Sequence, residues 1–141
     1  AALKTLRVDN AVRGMVLISG KPEVFIAGAD IEEFVATKTE EGCRALSREG
    51  QQFLDELEGS PKPMVAAIHG HAVAGGYVLT LAADWRVLCR GARVGLNEVL
   101  VGVPLPYGVA MILRDSVPRV SLGPIALLGQ NYADEAARDA G

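Results

Sequence analysis

Lys62-Pro63-Met64-Val65-Ala66-Ala67-Ile68-His69-Gly70-His71-Ala72-Val73-Ala74-Gly75-Gly76, with the apolar stretch that runs on to Ala83, decides the fold. From Pro63 to Ala83 no side chain carries a full formal charge. A run of that length is enough to cross a bilayer. His69-Gly70-His71 and Gly75-Gly76 cut it into pieces too short to do so. It reads instead as a buried strand at 64–68, a turn at 70–75 and a buried helix at 76–83.

Working outward, Met15-Val16-Leu17-Ile18-Ser19 is a second apolar run, closed by Gly20-Lys21-Pro22. It reads as a strand covered on both faces, as in parallel sheets. Residues 25–30 form a Gly/Ala loop, and a short helical pattern follows at 31–35. Thr37 and Glu40 have capping-box spacing, and Cys43, Leu46, Phe53, Leu54 and Leu57 then share one helical face until Ser60-Pro61 ends it. Residues 85–89 read as a third strand, and 99–103 as a fourth or a strand-like loop before Pro104 and Pro106. Helical stretches at 109–115 and 124–128 follow, and Asn131 is the expected cap of a last helix. Strands alternating with helices make the chain α/β, with right-handed crossovers expected. The first residues read as the end of a helix and the last as the start of another, so both ends look like cuts in a larger fold.

The 141 residues are one domain's worth of chain. Half are hydrophobic and 22% are charged, which excludes a disordered chain. The net charge of −3, with acids and bases mixed, excludes the clustered basic face of a nucleic-acid binder. Aromatics at 5% and 16 glycines point to close backbone packing. Cys43 and Cys89 lack metal-ligand spacing and are expected as buried free thiols in a reducing compartment. Ala1-Ala2-Leu3-Lys4 has no signal-peptide pattern, so the expected location is cytoplasmic.

Three loops carry candidate chemistry. Ala27-Gly28-Ala29-Asp30 lies between a strand signal and a short helix, and Ala74-Gly75-Gly76 between the strand at 64–68 and the apolar helix. Small residues let a ligand reach the main chain, and N–H groups at a helix start are unpaired donors suited to an oxygen gaining negative charge. Either loop alone also fits a purely structural turn. Glu98, in Gly95-Leu96-Asn97-Glu98, has apolar neighbours in Val94, Leu96, Val99 and Leu100. Burial there raises a carboxyl pKa toward the range useful for proton transfer. The alternative is a partly exposed Glu bonding nearby backbone.

His69 and His71 have no supporting ligands for a metal and read as turn residues. Asp84 reads as a structural cap or ion-pair member, Trp85 as core or interface, and Arg90 and Arg93 as surface. Neither Ser19 nor Ser60 sits in a nucleophile elbow, and no Gly-Lys-Ser/Thr follows either Gly-rich turn.

Val24-Phe25-Ile26-Ala27-Gly28-Ala29-Asp30-Ile31-Glu32-Glu33-Phe34 resembles the first signature of the enoyl-CoA hydratase/isomerase (crotonase) family, and residues 62–76 resemble the second. Gly95-Leu96-Asn97-Glu98 follows at agreeing spacing, and Gly129-Gln130-Asn131-Tyr132-Ala133-Asp134-Glu135-Ala136-Ala137 resembles a later helix-start motif. The resemblance implies a crotonase-like, repeated β-β-α superhelical core over residues 1–141, without the family's N-terminal strands and C-terminal helical region. It implies an acyl-CoA substrate whose thioester carbonyl is held by the amides of Ala29 and Gly75, an oxyanion hole. Glu98 would be catalytic, and Ala27, Asp30, Ile31, Gly76, Val78, Leu105 and Tyr107 would line the substrate. Tyr107 reads equally as a packing residue. No metal and no cofactor is expected beyond the CoA of the substrate, and no nucleic-acid or membrane partner. A homotrimer or dimer of trimers is expected.

Family hydratases place a second glutamate where this chain has Val78. With a single base, double-bond isomerisation is the expected reaction. The alternatives are hydration with an acid from elsewhere, or acyl-CoA binding without turnover.

Overall fold

Three successive β–β–α turns run through the chain, and the computed structural model describes residues 2–141, apart from the side chains of Ile31, Glu33 and Phe34. A short helix, α1 (Ala2–Val8), leads into β1 (Met15–Leu17), β2 (Val24–Ile26), α2 (Ile31–Ala36) and α3 (Glu40–Glu58). The second turn is β3 (Met64–Ile68), β4 (His71–Val73) and α4 (Gly75–Leu81). The third is β5 (Trp85–Leu88), β6 (Arg93–Gly95), a 3₁₀ turn (Glu98–Val101) and α5 (Tyr107–Ser116). Then come α6 (Arg119–Leu128), β7 (Tyr132–Ala133) and α7 (Asp134–Ala140).

The first strand of each turn joins one parallel sheet, ordered β1-β3-β5. The second strands form another, β2-β4-β6, and β7 adds to its edge antiparallel to β6. Phe25, Leu96, Leu113 and Ile125 are among the most deeply buried side chains. In β3 the strand period puts Met64, Ala66 and Ile68 inward. Asp84, exposed at the end of the α4 segment, accepts the Met64 amide at 2.7 Å through Oδ2, so its role is to hold the start of β3.

Helix α4 starts where it does because Gly76 has no side chain. A Cβ there would stand 2.0 Å from the Ile26 carbonyl oxygen, so the helix packs directly on the end of β2. Its buried face carries Tyr77, Val78, Thr80 and Leu81. Burial pushes the Tyr77 phenol up to about 12, against the opposing pull of Arg86, so it stays neutral.

Several expectations are corrected. The first strand is not covered on both faces: Val16 and Ile18 are exposed, as are Trp85 and Val87 on the same side of the sheet. Trp85, 64% exposed, is therefore no core residue of this chain. Cys43 and Cys89 are free but exposed rather than buried. The cap of α3 is Thr39, whose Oγ1 accepts the Gly42 amide at 3.1 Å, not Thr37. Only Leu54 and Leu57 of the α3 face are buried, while Leu46 is half-buried and Phe53 and Cys43 face outward.

Residues 99–103 form no strand: the chain turns 3₁₀ from Glu98 and leaves through Gly102 in the left-handed region, with φ 75°. Helix α6 begins five residues before Pro124 and takes that proline inside, its buried face being Ser121 and Ile125. Asn131 does not cap α7, which starts at Asp134 behind Ala133. Its Oδ1 instead lies 2.3 Å from where a Cβ on Gly95 would be, filling the space that glycine leaves.

Candidate active site

The loop after β2 and the loop after β4 meet face to face. The Ala29 nitrogen lies 3.6 Å from the point where a Cβ on Gly75 would sit, and the Gly28 Cα is equally near. Glycine at 75 keeps that space open. Gly28 has φ 117°, a conformation that side chains rarely adopt.

The direction of the Gly75 amide follows from its peptide plane. The Ala74 carbonyl accepts the Val78 amide at 3.1 Å, pointing along α4. In a trans peptide C=O and N–H are antiparallel, so the Gly75 N–H points out of the helix start. Among the described residues, neither the Ala29 nor the Gly75 amide donates to a main-chain acceptor.

Glu98 follows the end of β6 by three residues. The Ala74 amide donates to the Gly95 carbonyl at 3.0 Å. Three residues extend at most about 11 Å, which bounds the distance from Gly95 to Glu98. Leu96, almost wholly buried, anchors the segment between them. Burial pushes the Glu98 carboxyl above the usual range, with main-chain bonds at Glu98 and Asn97 opposing. Its Oε2 is buried and without a hydrogen-bond partner among the described residues. Glu98 thus combines both readings: it is half-buried and its carboxyl bonds nearby main chain, while Val94 and Leu96 are buried and Val99 and Leu100 exposed.

The other expected residues are spread more widely. Ala27 is exposed beside this junction. Asp30 is exposed, and its Oδ1 accepts the Glu32 amide at 2.9 Å, capping α2. Ile31 opens α2, but its side chain lies outside the described residues. Val78 is 3% exposed, one turn into α4. Leu105 is half-buried against the core. Tyr107, 80% exposed, packs in no core and borders a cleft of about 530 Å³ between α3 and α5. That cleft also carries Glu58, whose carboxyl is pushed up by burial and then by Asp55 and Asp115. A second cleft, about 500 Å³, runs beside β5 between Trp85, Arg86 and Arg138. Ala29, Gly75 and Glu98 line neither.

Both histidines bond the main chain: His69 Nε2 lies 2.6 Å from the Lys21 carbonyl, and His71 Nδ1 accepts the Arg93 amide at 3.0 Å. Arg90 and Arg93 are exposed. The reading from sequence missed a role for Ala74, whose amide bonds the Gly95 carbonyl, whose methyl faces Gly28 and whose φ is 52°. An alanine gives no sequence signal of a left-handed conformation.

Three β–β–α turns, with their loops gathered at the start of a buried helix, define a crotonase-type superhelix. Solved structures share it. An enoyl-CoA hydratase/carnithine racemase from Magnetospirillum magneticum superposes with TM-score 0.91 at 28% identity, covering 99% of this chain and 53% of its own. An enoyl-CoA hydratase/isomerase family protein from Hyphomonas neptunium gives 0.91 at 32%, with the same coverage. The family model described as enoyl-CoA hydratase/isomerase matches residues 1–141, and the chain belongs to that family. The fatty acid oxidation complex subunit alpha of Shewanella amazonensis is 44% identical over 110 residues, 77% of this chain and 15% of that protein. The chain thus spans about half of the solved relatives and a smaller part of this curated one. No described helix is long and apolar enough to cross a membrane.

Proposed function

We propose that this chain carries the thioester site of an enoyl-CoA isomerase, moving a double bond from C3–C4 to C2–C3 with Glu98 as the sole base. The observation that carries the reading is the buried, unpartnered Oε2 of Glu98, on a chain that has Val78 where a second acid is expected.

The amides of Ala29 and Gly75 would receive the thioester oxygen. Glu98 takes the C2 proton. The C2–H electron pair becomes the C1–C2 double bond, and the carbonyl pair moves onto oxygen. Return of that charge reforms C=O, shifts the double bond to C2–C3, and draws the proton from Glu98 onto C4. A pre-aligned donor pair matters most in the middle of this sequence, where the oxygen is anionic. Each such donor typically supplies roughly 3 kcal/mol. Hydration would instead need one group to deprotonate water while another protonates C2, and Val78 can do neither.

The reading extends to Ala27, Asp30, Ile31, Gly76, Val78, Leu105 and Tyr107 as substrate-lining positions, and to a cytoplasmic homotrimer or dimer of trimers, which rests on the resemblance alone. Sedimentation of the full protein tests the assembly.

The activity test supplies 3-enoyl-CoA and 2-enoyl-CoA and follows the absorbance of the conjugated thioester. Appearance of the conjugated product, lost in Glu98→Gln, supports the proposal. Hydration of the 2-enoyl substrate outpacing isomerisation, or binding without turnover, overturns it.

A further inference from the structure

We infer that Ala74 is a positioning residue: its methyl group spaces the two loops, and its strained backbone aims the Gly75 amide. This rests on reading Ala29 and Gly75 as the donors to the thioester oxygen.

Ala74 adopts φ 52° and ψ −130°, where a Cβ is disfavoured. Such a conformation persists only when neighbours over-determine it, and here they do. The Ala74 amide is held by the Gly95 carbonyl at 3.0 Å, on the strand that leads to Glu98. Its carbonyl is held by the Val78 amide at 3.1 Å, in the first turn of α4. Its Cβ lies 3.3 Å from where a Cβ on Gly28 would stand, so the methyl faces the side that glycine leaves open.

Two consequences follow from geometry. The ψ angle of residue 74 rotates the 74–75 peptide plane, so it sets where the Gly75 N–H points. The methyl, facing Gly28, limits how closely the Ala29 loop can approach that N–H. One residue therefore ties both candidate donors to the segment bearing Glu98. Glycine at 74 would adopt the same angles without strain, but would also leave them, and it would remove the spacer.

The test binds butyryl-CoA, labelled with ¹³C at the thioester carbon, to the full protein and reads the carbonyl stretch by difference infrared spectroscopy. Saturated substrate does not turn over, so the readout is polarisation alone. Native protein is expected to lower the stretching frequency, and Ala74→Gly to recover much of the free-ligand value. Its kcat on 3-enoyl-CoA should fall about tenfold, a fraction of the loss typical for deleting a donor, with KM unchanged. Ala74→Ser, which keeps a Cβ, should retain the native frequency and rate. An unshifted carbonyl in native protein would remove the donor reading and this inference with it. A native shift that Ala74→Gly leaves intact, or that Ala74→Ser loses equally, would overturn the positioning role while leaving the donor reading standing.

Discussion

Leu100 is seated on Gly129. A Cβ on that glycine would stand 2.8 Å from Leu100 Cγ, and the glycine ends α6 with φ 62°. Leu100 belongs to the 3₁₀ turn that begins with Glu98, so the end of α6 braces the segment carrying the candidate base. Gly129→Ala both strains the left-handed backbone and pushes Leu100 away. Expected outcomes are a melting temperature lowered by several degrees and kcat on 3-enoyl-CoA down about tenfold. Calorimetry and initial rates check both. Retained acyl-CoA affinity distinguishes displacement of Glu98 from general unfolding.

Glu98→Gln should reduce isomerisation by about 10²–10⁴-fold, the usual worth of a positioned base. The same change should stabilise the fold. Burial disfavours the carboxylate, and a neutral amide of equal size costs less to desolvate. A gain in stability at pH 7 is expected, read as a raised melting temperature. Opposite movement of activity and stability in one variant identifies a group kept for chemistry.

The pH dependence follows from the same shift. Glu98 has its folded pKa raised, so the folded state holds its proton more tightly than the unfolded chain does. Stability attributable to this group is greatest below the unfolded pKa and declines as pH rises through the folded one. Activity has the opposite slope, because the base works deprotonated. The acid limb of kcat against pH should therefore lie above the range of an ordinary glutamate and vanish in Glu98→Gln. A limb at the ordinary position would assign the proton transfer to another group.

How much of this was legible in the sequence depends on the length scale of each signal. Met64–Ile68 and the apolar helix behind it are visible because an uncharged apolar run is cut by a turn of small residues. Val24–Ile26, His71–Val73 and Arg93–Gly95 are three residues each and exist only through pairing with one another, so no local period announces them. Reading 70–75 as a turn, and 99–103 as a strand or strand-like loop, follows from that. Capping failed in a related way: Thr37 and Thr39 both have plausible spacing, and only the path into α3 selects Thr39. At the site, Gly75, Ala29 and Glu98 are marked by residue type. Gly76 fits a close backbone approach as well as a ligand surface, since both call for glycine. Val16 and Trp85 show the converse, since an apolar residue in a strand does not reveal whether this chain itself covers it.

Two glycines separate these cases. Gly76→Ala places a methyl 2.0 Å from the Ile26 carbonyl oxygen, a backbone atom that cannot rotate aside. Expected destabilisation is about 3 kcal/mol, with poor soluble yield. Gly20→Ala meets nothing within 4 Å and should be neutral or stabilising by up to about 1 kcal/mol. Chemical denaturation of the two variants, compared at equal m-value, checks the contrast.

Val78→Glu addresses the choice of reaction directly. Val78 is 3% exposed in the core cluster, so a carboxylate there must be desolvated, and a stability loss of about 2–4 kcal/mol is expected. Desolvation also raises the pKa of the new acid, which keeps it protonated near neutral pH and able to donate. With Glu98 available to deprotonate water, the variant would hold the acid–base pair that hydration of a 2-enoyl thioester requires. The expected outcome is a rise in hydration relative to isomerisation, measured as the ratio of the two kcat/KM values on the same protein preparation. The ratio matters because a destabilised variant lowers both rates together, whereas a new proton donor changes only one. A folded variant with an unchanged ratio would mean that position 78 does not face the substrate, and the case for isomerisation from its valine would fall.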